Sequence, residues 1–199
     1  LGTSLKLTTN SIEGIYLALV LVSACVILLN KISGLKNLVA WLKQNWRSVL
    51  FSEAVFLAGF LIWAYIRSLG PEISGTEKPM ELAFINAILN SNSFPPHDPW
   101  LSGYAISYYY FGYLITAMMC KITGLSGAVG FNLTLAMLFG LVAQGSFDLL
   151  SNLLLDKNKT DVQQQSQAKI EKVSLSTQIP ALLGPLFILF VSNIEGLLE

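Results

Sequence analysis

The chain has 199 residues, 12 basic and 12 acidic side chains and one histidine, with 53% hydrophobic but only 12% charged residues. Soluble domains carry about 25% charged residues, so half that density, with a mean hydropathy of +0.59, excludes an ordinary water-exposed globule and predicts a membrane protein whose first partner is the lipid bilayer. The balanced charge offers no uncompensated cluster of Lys and Arg for a phosphate backbone, which excludes nucleic acid.

A bilayer core of about 30 Å needs roughly 20 apolar residues in a helix. Five windows approach that length: 12–30, 49–67, 105–123, 128–150 and 179–198. The expected fold class is therefore all-α, a polytopic transmembrane helix bundle of about five spans. The first window is too long and too late for a cleaved signal peptide and is expected to stay in the membrane. Cys25 and Cys120 lie in apolar runs with no Cys or His neighbour at metal or redox spacing. The start at Leu1 and the apolar run up to Glu199 read as a piece of a longer protein.

Between the first two windows, 31–48 holds Lys31, Lys36, Lys43 and Arg47 with no acid. Between the second and third, 68–104 holds Glu72, Glu77, Glu81 and Asp98 against the single Lys78. Basic loops are retained on the cytoplasmic side, so 31–48 is expected inside and 68–104 outside, most simply in a multi-pass protein of the plasma membrane. The predicted organisation is a first span and basic cytoplasmic loop (1–48), a core of spans two to four with the outer loop (49–150), a flexible polar loop carrying Gln163 to Gln167 (151–178), and a truncated fifth span (179–199).

In the outer loop, Met80, Ala83, Phe84, Ala87 and Ile88 recur at helical spacing after Thr76. They predict an amphipathic helix of roughly four turns lying in the membrane interface. Ser74 and Thr76 are candidate N-caps, Glu77 is placed for a capping box with Ser74, and Pro79 suits the first turn. Glu77 thus has two readings, a capping acid or a reactive carboxylate. Next, Phe94 to Trp100 reads FPPHDPW. Its prolines fix φ and push their predecessors into extended backbone, predicting a stiff non-helical strap that holds His97 and Asp98 above the membrane. His97 reads either as a solvated loop residue or as a held ligand or base. Trp100, Tyr104, Tyr108, Tyr109, Tyr110, Phe111 and Tyr113 follow, a cluster that reads as an interfacial aromatic belt; the three consecutive tyrosines 108–110 point in three directions around a helix, so at least one of them is expected to face inward and to need a partner.

The blocks PEISGTEKPMELAFINAIL, FPPHDPWLSG, SYYYFGY and TGLSGAVGFNLTLA, in that order, resemble the uncharacterised "YYY" membrane-protein family, named for its triple tyrosine. The resemblance is strongest over 50–150, with Glu81 and Ser107 standing where that pattern tends to show Asp and Asn. More distantly, the layout is similar to the C-type membrane glycosyltransferases, which place an acid in the first large outer loop. That resemblance implies an enzyme that takes a sugar from a polyprenyl-phosphate carrier at the non-cytoplasmic face, and it implies that this piece alone is inactive. It assigns the catalytic carboxylate to Glu77, with Glu72 second. Lys78 or Arg67 would meet the phosphate, and Tyr108, Tyr109 and Tyr110 would pack the prenyl chain or stack on the sugar. His97, Asp98 and Trp100 complete the implied substrate-binding set. The cofactor stays unknown: a divalent cation is an option whose oxygen ligands would come from Glu72, Glu81 and Asp98.

Charges within the spans are read as structural. Glu53, Asp148 and Glu195 lie near span ends, where a carboxylate reaches the surface; Asn132 caps or bridges helices; and Asn158-Lys159-Thr160 matches a short glycosylation sequon. Two other functions compete with sugar transfer. A transporter or flippase subunit would show ionisable residues in its spans or broken helices, and a scaffold would use the Pro-rich strap as a partner surface.

Overall fold

The computed structural model describes residues 10–101, 103–162 and 175–191. Over these the chain is helical apart from connections and one isolated antiparallel bridge, His97 with Ala105. Six helices follow in order: α1 (Ile12–Leu69), α2 (Lys78–Asn90), α3 (Phe111–Thr123), α4 (Gly127–Val162), α5 (Leu175–Ala181) and α6 (Leu183–Leu189). The all-α expectation holds.

The helix ends follow local chemistry. At the start of α1, the Ser11 hydroxyl accepts the Gly14 N–H at 3.2 Å, satisfying one of the donors that every helix N-terminus leaves unpaired. The helix then continues to Leu69 because no proline interrupts it. It stops at Gly70, which precedes Pro71, a neighbour that disfavours helical backbone. The expected loop at 31–48 is therefore helical instead. Its charges mark where the sequence is less apolar, but they do not remove a backbone hydrogen bond.

Three stretches among the described residues are long and apolar enough to cross a bilayer: Ile12–Leu29 and Lys36–Leu69 on α1, and Gly127–Leu155 on α4. The expected third and fifth windows give shorter helices. Residues 105–110 are not helical, so α3 keeps 13 residues, about 20 Å at 1.5 Å per residue. In 179–198, α5 carries Pro180 inside it and ends before Leu182, after which α6 begins. The polar loop expected at 151–178 is helical as far as Val162. Gln163 to Gln167 and Glu195 lie outside the described residues.

The chain divides into two compact units. The first comprises 1–33 and 69–134, and it carries the acidic segment. Its core is Ile15, Phe84, Ile85, Ile88, Ile106, Ala117, Cys120 and Phe131. Here α2 packs on α3, and α4 comes close enough to α3 that a Cβ added at Gly130 would stand 2.1 Å from the Cys120 sulfur. Thr134 and Thr116 hydrogen-bond across the same contact at 3.1 Å. Asn10 ties the N-terminal segment to the end of α2. Its side chain donates to the Ile88 and Ser91 carbonyls, each at 2.8 Å, its N–H donates to Asn92 O, and its own carbonyl accepts from Lys121. Burial holds the Lys121 ammonium below the usual lysine range.

The second unit comprises 34–68 and 135–199. The α1 and α4 backbones approach closely there, since a Cβ at Gly140 would meet the Phe56 carbonyl at 2.8 Å. Trp63 stacks on Phe139 with centroids 4.7 Å apart, and Phe51 meets Phe147 at 5.4 Å. A polar group spans the same two helices: Ser52 donates to Asp148 at 2.9 Å, and the Gln144 amide donates to Ser52 and to Glu53 at 3.1 and 3.3 Å. Glu53 and Asp148 therefore belong to one hydrogen-bonded network joining two helices. In the first unit, Leu28 and Leu29 are 78% and 83% exposed, a degree of apolar exposure suited to lipid rather than water.

Candidate functional site

The acidic segment begins with backbone that few residues adopt. Gly75 has φ 77° and Thr76 φ 47°. Glycine enters this left-handed region freely, whereas a β-branched threonine there is strained. The chain turns through these two residues into Glu77, which is the N-cap of α2, with Pro79 in the first turn. Neither Ser74 nor Thr76 occupies the cap, and the expected capping box does not form, because the reversal at Gly75 and Thr76 intervenes. The Glu77 side chain makes no capping hydrogen bond and is exposed. Of its two sequence readings, the capping role is the one the geometry lacks. Glu72 is also exposed, in the extended stretch between α1 and α2, where Asn132 donates to the adjacent Pro71 carbonyl at 3.1 Å and to Ala128 O of its own helix. Asn132 thus bridges α4 to this stretch.

The buried face of α2 is displaced by one residue from the expected stripe. Phe84, Ile85 and Ile88 are buried, while Ala83 and Ala87 are not. Large side chains gain more from burial than alanine does, so the face that packs on α3 is the one with Phe and two Ile. Phe84, Ile85 and Ile88 are the residues this face buries, where α2 packs on α3. Glu77 and Glu81 precede Phe84 on the same 3.6-residue stripe. Tyr113, near the start of α3, donates its hydroxyl to Glu81 Oε1 at 3.3 Å. Burial first, then the Glu81 carboxylate, pushes the Tyr113 hydroxyl up to about 12. Tyr108 also ionises above its ordinary range, chiefly through hydrogen bonding with Tyr109, with smaller contributions from burial and the charges of Tyr109, Glu77 and Glu81.

The three tyrosines take separate places. Tyr108 packs on Phe84 at 5.7 Å and on Tyr109 at 4.3 Å, Tyr109 is 81% exposed, and Tyr110 stacks on Phe94 at 6.3 Å. The inward tyrosine with a polar partner is Tyr113, which lies outside the triplet. Trp100 sets its edge against Phe84 at 6.0 Å while remaining 64% exposed.

The strap is non-helical, as its prolines require, and it folds into a hairpin. Asp98 N–H donates to Tyr104 O at 2.9 Å, and Ile106 N–H donates to Pro96 O at 3.0 Å. At the tip, Asp98 Oδ1 accepts the Trp100 and Leu101 N–H groups at 2.8 and 2.9 Å, a turn in which the carboxylate stands in for a backbone carbonyl. Pro96 is fully buried and anchors the hairpin.

Within the first unit, several of the sequence-derived residues fall in two places. Glu77, Lys78 and Tyr108 gather toward the start of α2, joined by Glu81 and Tyr113. His97 and Asp98 line a cleft on the opposite face of α2. Arg67 lies in the last turn of α1, which belongs to the second unit. Among the described residues, no group of three or more His, Cys, Asp or Glu side chains is placed to hold a metal ion.

Compared with known families, the chain matches over residues 1–199 the family described as uncharacterized membrane protein (DUF2298). The chain belongs to this family. No curated protein and no solved structure matches it. It is accordingly a membrane protein, in keeping with its apolar helices.

Two contacts of this family member join residues far apart in sequence. Tyr113 and Glu81 meet across 32 residues, and Asn132 reaches Pro71 across 61. Only tertiary packing brings them together.

Proposed function

We propose that the start of α2 is a sugar-transfer centre of the C-type glycosyltransferase kind, acting on a polyprenyl-phosphate-linked sugar at the non-cytoplasmic face. The observation that carries this reading is the Glu77 carboxylate, which is exposed, makes no capping hydrogen bond and sits directly behind the strained Thr76. Backbone strain persists where surrounding structure over-determines it, and it concentrates at functional positions.

In the proposed step, Glu77 takes the proton of an acceptor hydroxyl. The acceptor oxygen bonds to the anomeric carbon, the bond from that carbon to the phosphate oxygen breaks, and the electron pair leaves with the prenyl phosphate. The Lys78 ammonium meets the negative charge that develops on the phosphate. Tyr108 and Tyr109 offer ring faces to the sugar or the prenyl chain. The Tyr113 hydroxyl, donated to Glu81, keeps that second carboxylate engaged and leaves Glu77 as the base.

Incubation of the full-length protein with radiolabelled polyprenyl-phosphate sugars tests the reading, with transfer or hydrolysis of the label as the expected result. A second reading, a transporter or flippase subunit, draws on the Ser52, Glu53, Gln144 and Asp148 network, because ionisable residues inside spans mark polar pathways. Flipping of a fluorescent lipid-linked sugar in vesicles, without covalent turnover, would favour it.

A further inference from the structure

The face of α2 opposite Glu77 carries Ala83, Asn86, Ala87 and Asn90 at helical spacing, and it forms one wall of a cleft of about 580 Å³. The turn after α2 and the strap form the other wall, with Asn92, Ser93, His97 and Asp98. The volume lies within the roughly 300–1,000 Å³ of small-molecule sites.

We propose that this cleft binds a neutral, polyhydroxylated ligand, a saccharide, as the sugar-acceptor subsite of the protein. The sugar-transfer reading supplies the identification as acceptor, whereas the ligand class follows from the lining. Asn86, Asn90 and Asn92 line it, residues whose amides carry both donors and an acceptor, and Ser93 and His97 add further polar groups. Such a lining matches hydroxyl groups that both donate and accept. An apolar ligand would strip these groups of water without replacing their hydrogen bonds. No Lys or Arg lines the cleft, so a phosphate would find no bidentate or ammonium partner. Ala83 and Ala87 keep that wall of α2 low between the amides, leaving room for the apolar face of a sugar ring.

The walls are held before any ligand arrives. Asn90 donates to Asn86 O at 2.9 Å and Ser91 to Ala87 O at 2.8 Å. The Asn86 side chain lies against Gly127, where an added Cβ would stand 2.3 Å from Asn86 Oδ1. Asn10 fixes the Ser91 and Asn92 carbonyls, and the two backbone N–H groups on Asp98 Oδ1 fix the strap wall. Such preorganisation lowers the ordering cost of binding.

The test is saturation-transfer NMR on the full-length protein in detergent, with free neutral mono- and disaccharides, the same sugars on a prenyl phosphate, and inorganic phosphate as probes. Free sugars are expected to bind and phosphate is not. Asn90→Ala and His97→Ala, both at exposed positions, are each expected to weaken sugar binding about tenfold, the loss of one or two hydrogen bonds, with the helical circular dichroism unchanged. Sugar that bound only on the prenyl phosphate would overturn the acceptor assignment. Phosphate binding as tight as sugar, or unchanged affinity in both variants, would overturn the cleft itself. Free-sugar binding lost in these variants, in a protein that turns over no lipid-linked sugar, would support the cleft while removing the transfer reading.

Discussion

At Thr76, a β-branched residue occupies left-handed backbone immediately before the carboxylate to which catalysis is assigned. Strain of this kind costs on the order of 1–3 kcal/mol, whereas glycine at the same position adds about 0.5–1 kcal/mol of chain entropy to the unfolded state. Thr76→Gly is therefore expected to raise stability slightly, by up to about 1–2 kcal/mol, as read from denaturant midpoints in detergent. Gly75→Val forces a second branched side chain into the same region and is expected to lower the midpoint. The other residue-scale expectation concerns Tyr113. Its hydroxyl ionises near 12 against an ordinary 10.0, so the folded value lies above the unfolded one. The stability linked to the neutral hydroxyl is complete below about pH 10 and is lost as the pH rises through about 12. A phenolate absorbance titration should show Tyr113 ionising late, with Tyr108 also above the ordinary range. Glu81→Gln should move Tyr113 down only part of the way, because burial is the larger cause; a return to the ordinary value would show that burial contributes nothing.

The helices were legible where backbone chemistry punctuates the chain, and illegible where tertiary packing decides. Gly70 and Pro71 end α1, Pro79 marks the first turn of α2, and the three prolines of the strap exclude helix, all features readable residue by residue. Residues 31–48 were misread as a loop because hydropathy reports where lipid can be, while the helix runs on through Ser33-Gly34 and Asn37 with no proline to break it. The stripe of α2 was misread by one position because a periodicity count gives alanine the same weight as isoleucine. The short α3 follows from Ile106 pairing with Pro96 in the strap hairpin, a contact made after chain reversal and invisible to any local window. Packing between elements also gives a direct test. Gly140 admits the Phe56 carbonyl so closely that a Cβ would stand 2.8 Å from it, and the obstruction is backbone, which cannot rotate away. Gly140→Leu is expected to cost about 1–3 kcal/mol and to lower the melting temperature in detergent. A neutral result would show that α1 and α4 can separate there freely.

For the whole molecule, zero net charge conceals an uneven distribution. Lys36, Lys43 and Arg47 lie along α1, while Glu72, Glu77, Glu81 and Asp98 lie between Gly70 and Tyr110. The structure divides the acidic segment further, assigning Glu77 and Glu81 to the tyrosine side of α2 and Asp98 to the cleft side. The residue types at the candidate site were readable from the sequence, but this separation was not, since it depends on which face of α2 packs on α3. The central claim is that Glu77 is the base. Its most direct test is the rate of polyprenyl-phosphate-sugar consumption by the full-length protein carrying Glu77→Gln, compared with wild type at equal folded amount. Loss of a general base predicts a fall of about 10²-fold or more with the helical content preserved, whereas an unchanged rate would contradict the assignment.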